Sequence, residues 1–280
     1  MVSRESLSSA LEIKGTPRVA SAAFASTLAH GLDVMAALEP DGAGISNSRL
    51  AAKLGMPRSM VSRLCSTLVQ LGYLSKGSDG LFRPAARTLA LAYPMLSGLP
   101  QRHHAWHLMN EFATTWKVNV SMTMLAGTYL INLLAVQHER QRPALPPEVG
   151  KMAPVEISVA GYCLLAMLPI EQRRSFERQA ALERPTSWDK HKDDVGHSMA
   201  HARSRGYCVS TGGPGATVAT AASPLGITSE GYFLALSSSF SSQRSTAAEL
   251  ESEFGPKVAA LAREIRRHDL TLSLSFGGES

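Results

Sequence analysis

At 280 residues, with 44% hydrophobic and 18% charged side chains, the chain is long enough for two cores and has a globular composition. Its formal charge of +5 is uneven: the first 90 residues hold ten Lys and Arg against six Asp and Glu, the rest eighteen against seventeen. The scattered Cys65, Cys163 and Cys208 form no CxxC pair, which argues against a disulfide framework or a zinc finger, and without a leader pattern or an 18-residue apolar run the expectation is a cytoplasmic protein with no membrane partner.

Residues 1–19 read as a polar arm carrying Gly15-Thr16-Pro17. From Ala20 to Leu38 the apolar positions Phe24, Leu28, Leu32, Met35 and Leu38 recur every three or four residues, an amphipathic helix stopped at Pro40-Asp41-Gly42. Ser46 can cap a short helix in which Leu50 and Leu54 share a face. Gly55 supplies a turn, and Pro57 suits the first position of the next helix. There Val61, Leu64, Cys65, Leu68 and Leu71 form the buried stripe, and Arg58, Ser59, Ser62, Arg63, Ser66 and Gln70 the opposite face. After Gly72, two short strands flank Gly77-Ser78-Asp79-Gly80, a hairpin signal. Three helices and a basic hairpin over residues 20–84 predict a winged helix-turn-helix, followed by a linker helix within 85–100.

From Gly42 to Ser78 there is no acidic residue, yet Arg49, Lys53, Arg58, Arg63 and Lys76 fall there. An unopposed positive surface on such a unit suits a polyanion, because each neutralised phosphate releases condensed counterions. Double-stranded DNA is the expected partner. Small and hydrogen-bonding side chains near the start of a recognition helix fit base edges, so Ser59, Met60, Ser62 and Arg63 are the candidate readers and Arg58 the phosphate clamp. Ser46, Arg49, Lys76 and Arg83 are the candidate backbone contacts.

Residues 101–270 carry a mixed pattern, and 271–280 a tail. Helices are expected at 101–117, 159–167, 170–181, 190–205 and 243–268. Strands are expected at Asn119–Leu125, Tyr129–Gln137, Tyr207–Ser210, Thr217–Ala222 and Tyr232–Ser238, one sheet with helices packed on it. The fold class is α+β.

No catalytic constellation emerges. His103, His107 and Glu111 share one helical face competent for a divalent ion, but a solvated helix face accounts for them better and no metal or cofactor is expected. Gly212-Gly213-Pro214-Gly215 lacks the Gly-Lys-Ser/Thr of a phosphate loop, and Cys163 sits in a strongly apolar helix without a nucleophile elbow. Met122, Met124 and Met152 read as core, with a hydrophobic pocket wall as the other reading.

Taken together, Leu50-Ala51-Ala52-Lys53-Leu54-Gly55-Met56-Pro57-Arg58-Ser59-Met60-Val61-Ser62-Arg63-Leu64 and Thr67-Leu68-Val69-Gln70-Leu71-Gly72-Tyr73-Leu74 resemble the isocitrate-lyase-regulator (IclR) family of bacterial transcription factors. The resemblance resumes at 160–169, 205–209 and 221–225, and Phe24 to Leu32 is similar to the branch that controls protocatechuate and hydroxybenzoate catabolism. It implies operator DNA and a small-molecule effector as partners, a GAF-like C-terminal effector domain, and homodimers or tetramers regulating catabolic genes. Carried across, the effector, a small carboxylate or aromatic compound, would meet Ser210 and Thr220 and the amides of Val159 and Ala160 at a helix N-terminus, with Met152 as the candidate pocket wall read from the residues themselves. Ser210-Thr211-Gly212-Gly213 replaces the family's acidic run, Glu156 a common histidine, and Tyr162 a common Lys or Arg. These departures imply a different or less polar ligand, or a ligand-independent repressor whose C-terminal domain only oligomerises. A metal-dependent enzyme fused to a winged helix is a more remote alternative, motivated by the histidine face alone.

Overall fold

The computed structural model describes residues 24–38, 42–99, 101–138, 148–212, 218–269 and 271–276. The polar arm, the opening of the first helix signal, Pro40-Asp41, most of the glycine-rich run that starts at Gly212, and the last four residues lie outside that set. The described residues up to Leu99 form one compact unit and those from Gln101 onward another.

In the first unit, helices α1 (Ser26–Ala36), α2 (Asn47–Leu54) and α3 (Arg58–Gln70) precede the strands β1 (Leu74–Lys76) and β2 (Phe82–Pro84) and helix α4 (Arg87–Ser97). The Ser46 side chain accepts from the Arg49 N–H and caps α2. Gly55 closes that helix at φ 63°, a left-handed conformation that a side chain disfavours. Pro57 stands just outside α3, in the N-cap position, where its missing N–H costs no helical bond. Val34, Leu50, Val61, Cys65, Leu74 and Phe82 meet in one core. Ile45 exchanges both backbone hydrogen bonds with Phe82, so the loop before α2 lies along the wing.

The second unit runs α5 (Gln101–Trp116), β3 (Asn119–Ala126), β4 (Tyr129–Val136), β5 (Met152–Pro154), α6 (Val159–Met167), α7 (Ile170–Glu183), α8 (Pro185–Arg205), β6 (Cys208–Ser210), β7 (Val218–Ile227), β8 (Phe233–Ser241) and α9 (Gly255–Arg267). The sheet is antiparallel throughout, in the order β5-β4-β3-β8-β7-β6. Helix α6 lies on one face, its nine residues all buried, and packs with α7 and α8 over Leu130, Cys208, Ala222 and Ala235. Helices α5 and α9 pack against the sheet too, α9 mainly on β7 and α5 on β3 and β4. This is an α+β fold with helices on a curled antiparallel sheet.

Three elements depart from the sequence reading. Strand β5 has no counterpart there, because three residues carry no alternation to detect. Strand β7 continues through Pro224 to Ile227, where a register shift against β8 accommodates the proline. The C-terminal helix opens as a capped turn at Ala247–Glu249 and passes through a π-helical turn, Leu250–Phe254, before α9. Gly255 is required there, since a Cβ would collide with the Tyr207 ring.

Glu156 is fully buried beside α6 and is held by Arg184, whose Nε and Nη2 donate to its two carboxylate oxygens at 2.8 and 3.1 Å. The same guanidinium donates to Thr128 and Glu183 and lies 4.4 Å from the Tyr129 ring centroid. It ties the β3–β4 turn to the α7–α8 junction. Removing one partner would strand a buried charge, which typically costs about 3–5 kcal/mol. Arg184→Ala is therefore expected to reduce the unfolding free energy of the second unit by that order, read from urea melts. Glu156→Gln in the same background should restore part of the loss.

Candidate nucleic-acid interface and ligand-facing sheet

The helix-turn-helix is held rigid by side chains that the sequence reading did not assign to that task. Asn47 at the start of α2 donates to the Arg58 carbonyl at 3.1 Å, fixing the approach of α3. Lys53 donates to the Ala37 carbonyl, which uses a cation of the acid-free stretch to close α1 onto α2. On α3, Val61 and Cys65 point inward, while Arg58, Ser59, Ser62, Arg63, Ser66 and Gln70 are exposed and Met60 is half-buried. Ser59, Ser62, Arg63 and Ser66 follow the i, i+3, i+4, i+7 spacing of a single helical face. The predicted reading surface is thus contiguous, with Arg49 exposed on α2.

On the wing, Lys76 is exposed and its ammonium lies 5.6 Å from the Phe82 ring centroid. Arg83 is differently employed. It donates to Asp79 at 2.6 and 3.1 Å and to the Gly42 and Ala43 carbonyls at 3.3 and 3.0 Å, clasping the hairpin to the loop before α2. Four of its five donor positions are spent inside the domain. The Arg83 hydrogen bonds, with the Leu81 N–H, hold the Asp79 carboxyl down at about 2. A folded pKa below the ordinary value of 3.8 means the clasp is present at neutral pH and is lost only as pH falls toward 2. Arg87 donates to the Leu71 carbonyl and lies over Tyr73, joining the start of α4 to the end of α3.

In the second unit, strand register assembles a row of polar side chains. Ser210 is opposite Thr220, Thr220 opposite Ser239, and Ser239 opposite Asn119, across β6, β7, β8 and β3. The next row on the same face is Cys208, Ala222, Ser237 and Ser121, with the Ser121 and Ser237 hydroxyls 3.0 Å apart. Cys208 and Ala222 belong to the core under α6, so both rows lie on the α6 face. The Cys208 thiol donates to the Val159 carbonyl at 3.4 Å and sits 3.2 Å from the Cys163 sulfur, which places the α6 N-terminus beside this polar area. Ser210, Thr220, Ser237 and Ser239 are all half-buried, in contrast to the sealed alanines next to them.

The helix-turn-helix profile of the IclR family matches residues 27–78, and the profile of the bacterial transcriptional regulator IclR C-terminal domain matches residues 94–267. The chain belongs to the IclR family. It is 25% identical to the Pca regulon regulatory protein of Pseudomonas putida over 244 residues, 86% of this chain and 83% of that one. An IclR-family transcriptional regulator from Brucella abortus shares its structure with a TM-score of 0.76 at 29% identity, covering 88% of this chain and 93% of that chain. An IclR homologue from Microbacterium hydrocarbonoxydans, solved in complex with 4-hydroxybenzoate, has a TM-score of 0.67 at 21% identity, covering 87% and 100%.

As an IclR-family member the chain is a transcriptional regulator with a DNA-binding helix-turn-helix, and not an enzyme. Among the described residues no group of three or more His, Cys, Asp or Glu is arranged to hold a metal, and His103, His107 and Glu111 are exposed along α5. No helix among the described residues is long and apolar enough to cross a membrane. Of the five sequence-predicted effector residues, Ser210 and Thr220 come together as a cross-strand pair, and Val159 and Ala160 stand at the nearby N-terminus of α6. Met152 does not join them. It lies on β5, at the opposite edge of the sheet, and next to Ala153, which packs toward the α6 face, so the pleat turns Met152 away. The two rows also hold Asn119, Ser121, Ser237 and Ser239, which the sequence reading did not single out. The serine-rich end of β8, Ser237-Ser238-Ser239-Phe240-Ser241, was the available signal.

The Arg83 clasp generates a prediction. Asp79→Asn should loosen the wing, with amide exchange at Gly77 and Leu81 speeding by about tenfold or more while the α3 core amides keep their protection. Unchanged exchange at the wing would show that Asp79 does not hold it.

Proposed function

We propose that this regulator binds operator DNA through residues 46–83 and that a small effector, a carboxylate or an aromatic compound, controls catabolic genes through it. The observation that carries the effector half is the polar row Ser210, Thr220, Ser239 and Asn119. A sheet face packed under α6 interrupts its apolar lining with half-buried hydroxyls, and such a surface suits hydrogen-bonding oxygens better than it suits another helix. The 4-hydroxybenzoate bound to the Microbacterium homologue supports aromatic acids as the first chemistry to try. The domain assignment follows: winged helix-turn-helix at 20–84, linker helix within 85–100 and effector domain at 101–270.

A second copy of the chain is the proposed partner of α1 and α4. Leu28 and Leu32 on α1 are 65% and 57% exposed, and Leu89 and Tyr93 on α4 are 79% and 69% exposed. Apolar side chains at helical spacing, on surfaces that the core of the first unit leaves uncovered, fit a homodimer or a tetramer built from it. Effector binding would then shift the population between arrangements that present paired recognition helices at different spacings.

On the DNA side, Arg63→Ala is expected to flatten preference at one operator position, by about 1–3 kcal/mol. Lys76→Ala should weaken all sequences alike and lower the salt slope by about one. Uniform loss in both variants would remove Arg63 from base readout.

For the effector, purified protein should be titrated with aromatic and aliphatic carboxylates while thermal stability and affinity for its own upstream DNA are followed. At a ligand concentration of about 100 times Kd, one-site binding stabilises the folded state by about 2.7 kcal/mol, a readable shift. A ligand that both raises Tm and changes operator affinity is the expected result, with the shift reduced in Thr220→Val. Specific DNA binding untouched by the whole panel would favour a repressor whose C-terminal domain only oligomerises.

A further inference from the structure

Asn119 opens β3 and is almost completely buried, at 1% exposure. Its carbonyl oxygen is committed, accepting from the His138 N–H at 3.0 Å. That bond settles which branch of the amide is which, because an N–H can be answered only by the oxygen. The remaining branch, Nδ2, is buried with no hydrogen-bond partner among the described residues. Buried donors are nearly always paired, since an unmade bond leaves the desolvation of the group uncompensated. Asn119 also lies directly opposite Ser239, at the β3 end of the row formed by Ser210, Thr220 and Ser239.

We infer that Asn119 is a further effector-contacting residue, whose Nδ2 donates to a carboxylate oxygen of the ligand at the β3 end of the polar row. The inference rests on the reading of that row as the effector site and adds a specificity determinant to it. The register places no Lys or Arg in this row: its four members offer only amide and hydroxyl groups. An anion held there would be recognised by neutral donors, and the Asn119 amide is the one with its position fixed by a second bond. Ser121 and Ser237 in the neighbouring row share one hydrogen bond with each other. Ser210 accepts from the Gly212 N–H, which leaves its own hydroxyl proton to donate. The row therefore carries a pinned donor at one end and rotatable hydroxyls toward the other, an arrangement that orients a small acid with its carboxylate toward β3.

Asn119→Asp tests this because it preserves shape and the acceptor for His138 while replacing the donor by a group that repels a carboxylate. The probes are 4-hydroxybenzoate and its neutral analogue 4-hydroxybenzamide, titrated calorimetrically into the full-length protein. The expected result is a loss of at least about tenfold in affinity for 4-hydroxybenzoate, with 4-hydroxybenzamide held or improved, a reversal of preference that a merely structural role would not produce. Equal loss of both probes, or loss of neither, overturns the assignment of Asn119 while leaving the effector site standing. If wild-type protein binds neither probe nor any carboxylate of the wider panel, the effector reading fails and the inference fails with it. Should Asn119→Asp not fold by circular dichroism, Asn119→Ser is used instead. It is expected to weaken 4-hydroxybenzoate several-fold, and an unchanged affinity there overturns the inference.

Discussion

A sheet packed with helices has a pleat that leaves no position free of assignment. Each residue of β3, β7 and β8 must face either α6 or the opposite side, and a shift of one residue would exchange the two sets. That constraint sorts Cys208, Ala222 and Ala235 under α6 and carries the alternation onward to Ser210, Thr220, Ser237 and Ser239. The apolar and polar stretches of one face are thus a single pattern read along the same strands. Where α6 covers the face, the small apolar residues Cys208, Ala222 and Ala235 allow close packing. Beyond that contact the lining changes to hydroxyls. The polar row is placed by the same period of two that builds the core.

The DNA-binding unit shows how a count of cations differs from a count of available cations. The acid-free stretch from Gly42 to Ser78 advertises five basic residues, and Arg83 follows on the wing. The structure assigns Lys53 to the Ala37 carbonyl and most of Arg83 to Asp79 and two carbonyls of the α1–α2 loop. Those bonds hold α2 to the end of α1 and the wing to the loop before α2. Arg58 and Arg63 stay exposed on the face of α3, with Lys76 exposed on the wing. Rigidity and phosphate contact therefore draw on the same residue types, and only the folded arrangement separates them.

Much of this is legible in the sequence because its signals are local. Ser46 as a cap, Gly55 as a left-handed turn and the buried stripe on α3 each follow from steric rules acting within a few residues. The longer strands of the second unit are visible for the same reason, as β-rich runs bounded by turn residues. What escapes is everything that depends on partners far apart in sequence. Nothing local to Glu156 announces that Arg184, 28 residues on, closes over it. Asn119 and Ser239 are 120 positions apart and meet only through the register of β3 with β8. Met152 precedes α6 in the chain, which suggests a place near the effector, yet β5 lies at the far edge of the sheet from β6. Strand order, which no local pattern encodes, decides such cases.

As the inferred effector contact, the Asn119 amide would link stability to sensing. A buried donor left without a partner typically costs about 1–3 kcal/mol. A ligand oxygen that satisfies the donor recovers it on binding, so the gain adds to affinity without requiring any further ordering of the side chain, which the His138 N–H already holds. Each increment of about 1.4 kcal/mol recovered corresponds to a factor of about ten in Kd. A neutral apolar molecule of the same size would leave the donor unanswered and forgo that factor. A regulator that responded to one small acid among many would gain discrimination in this way, from a fixed polar group that only the matching atom satisfies.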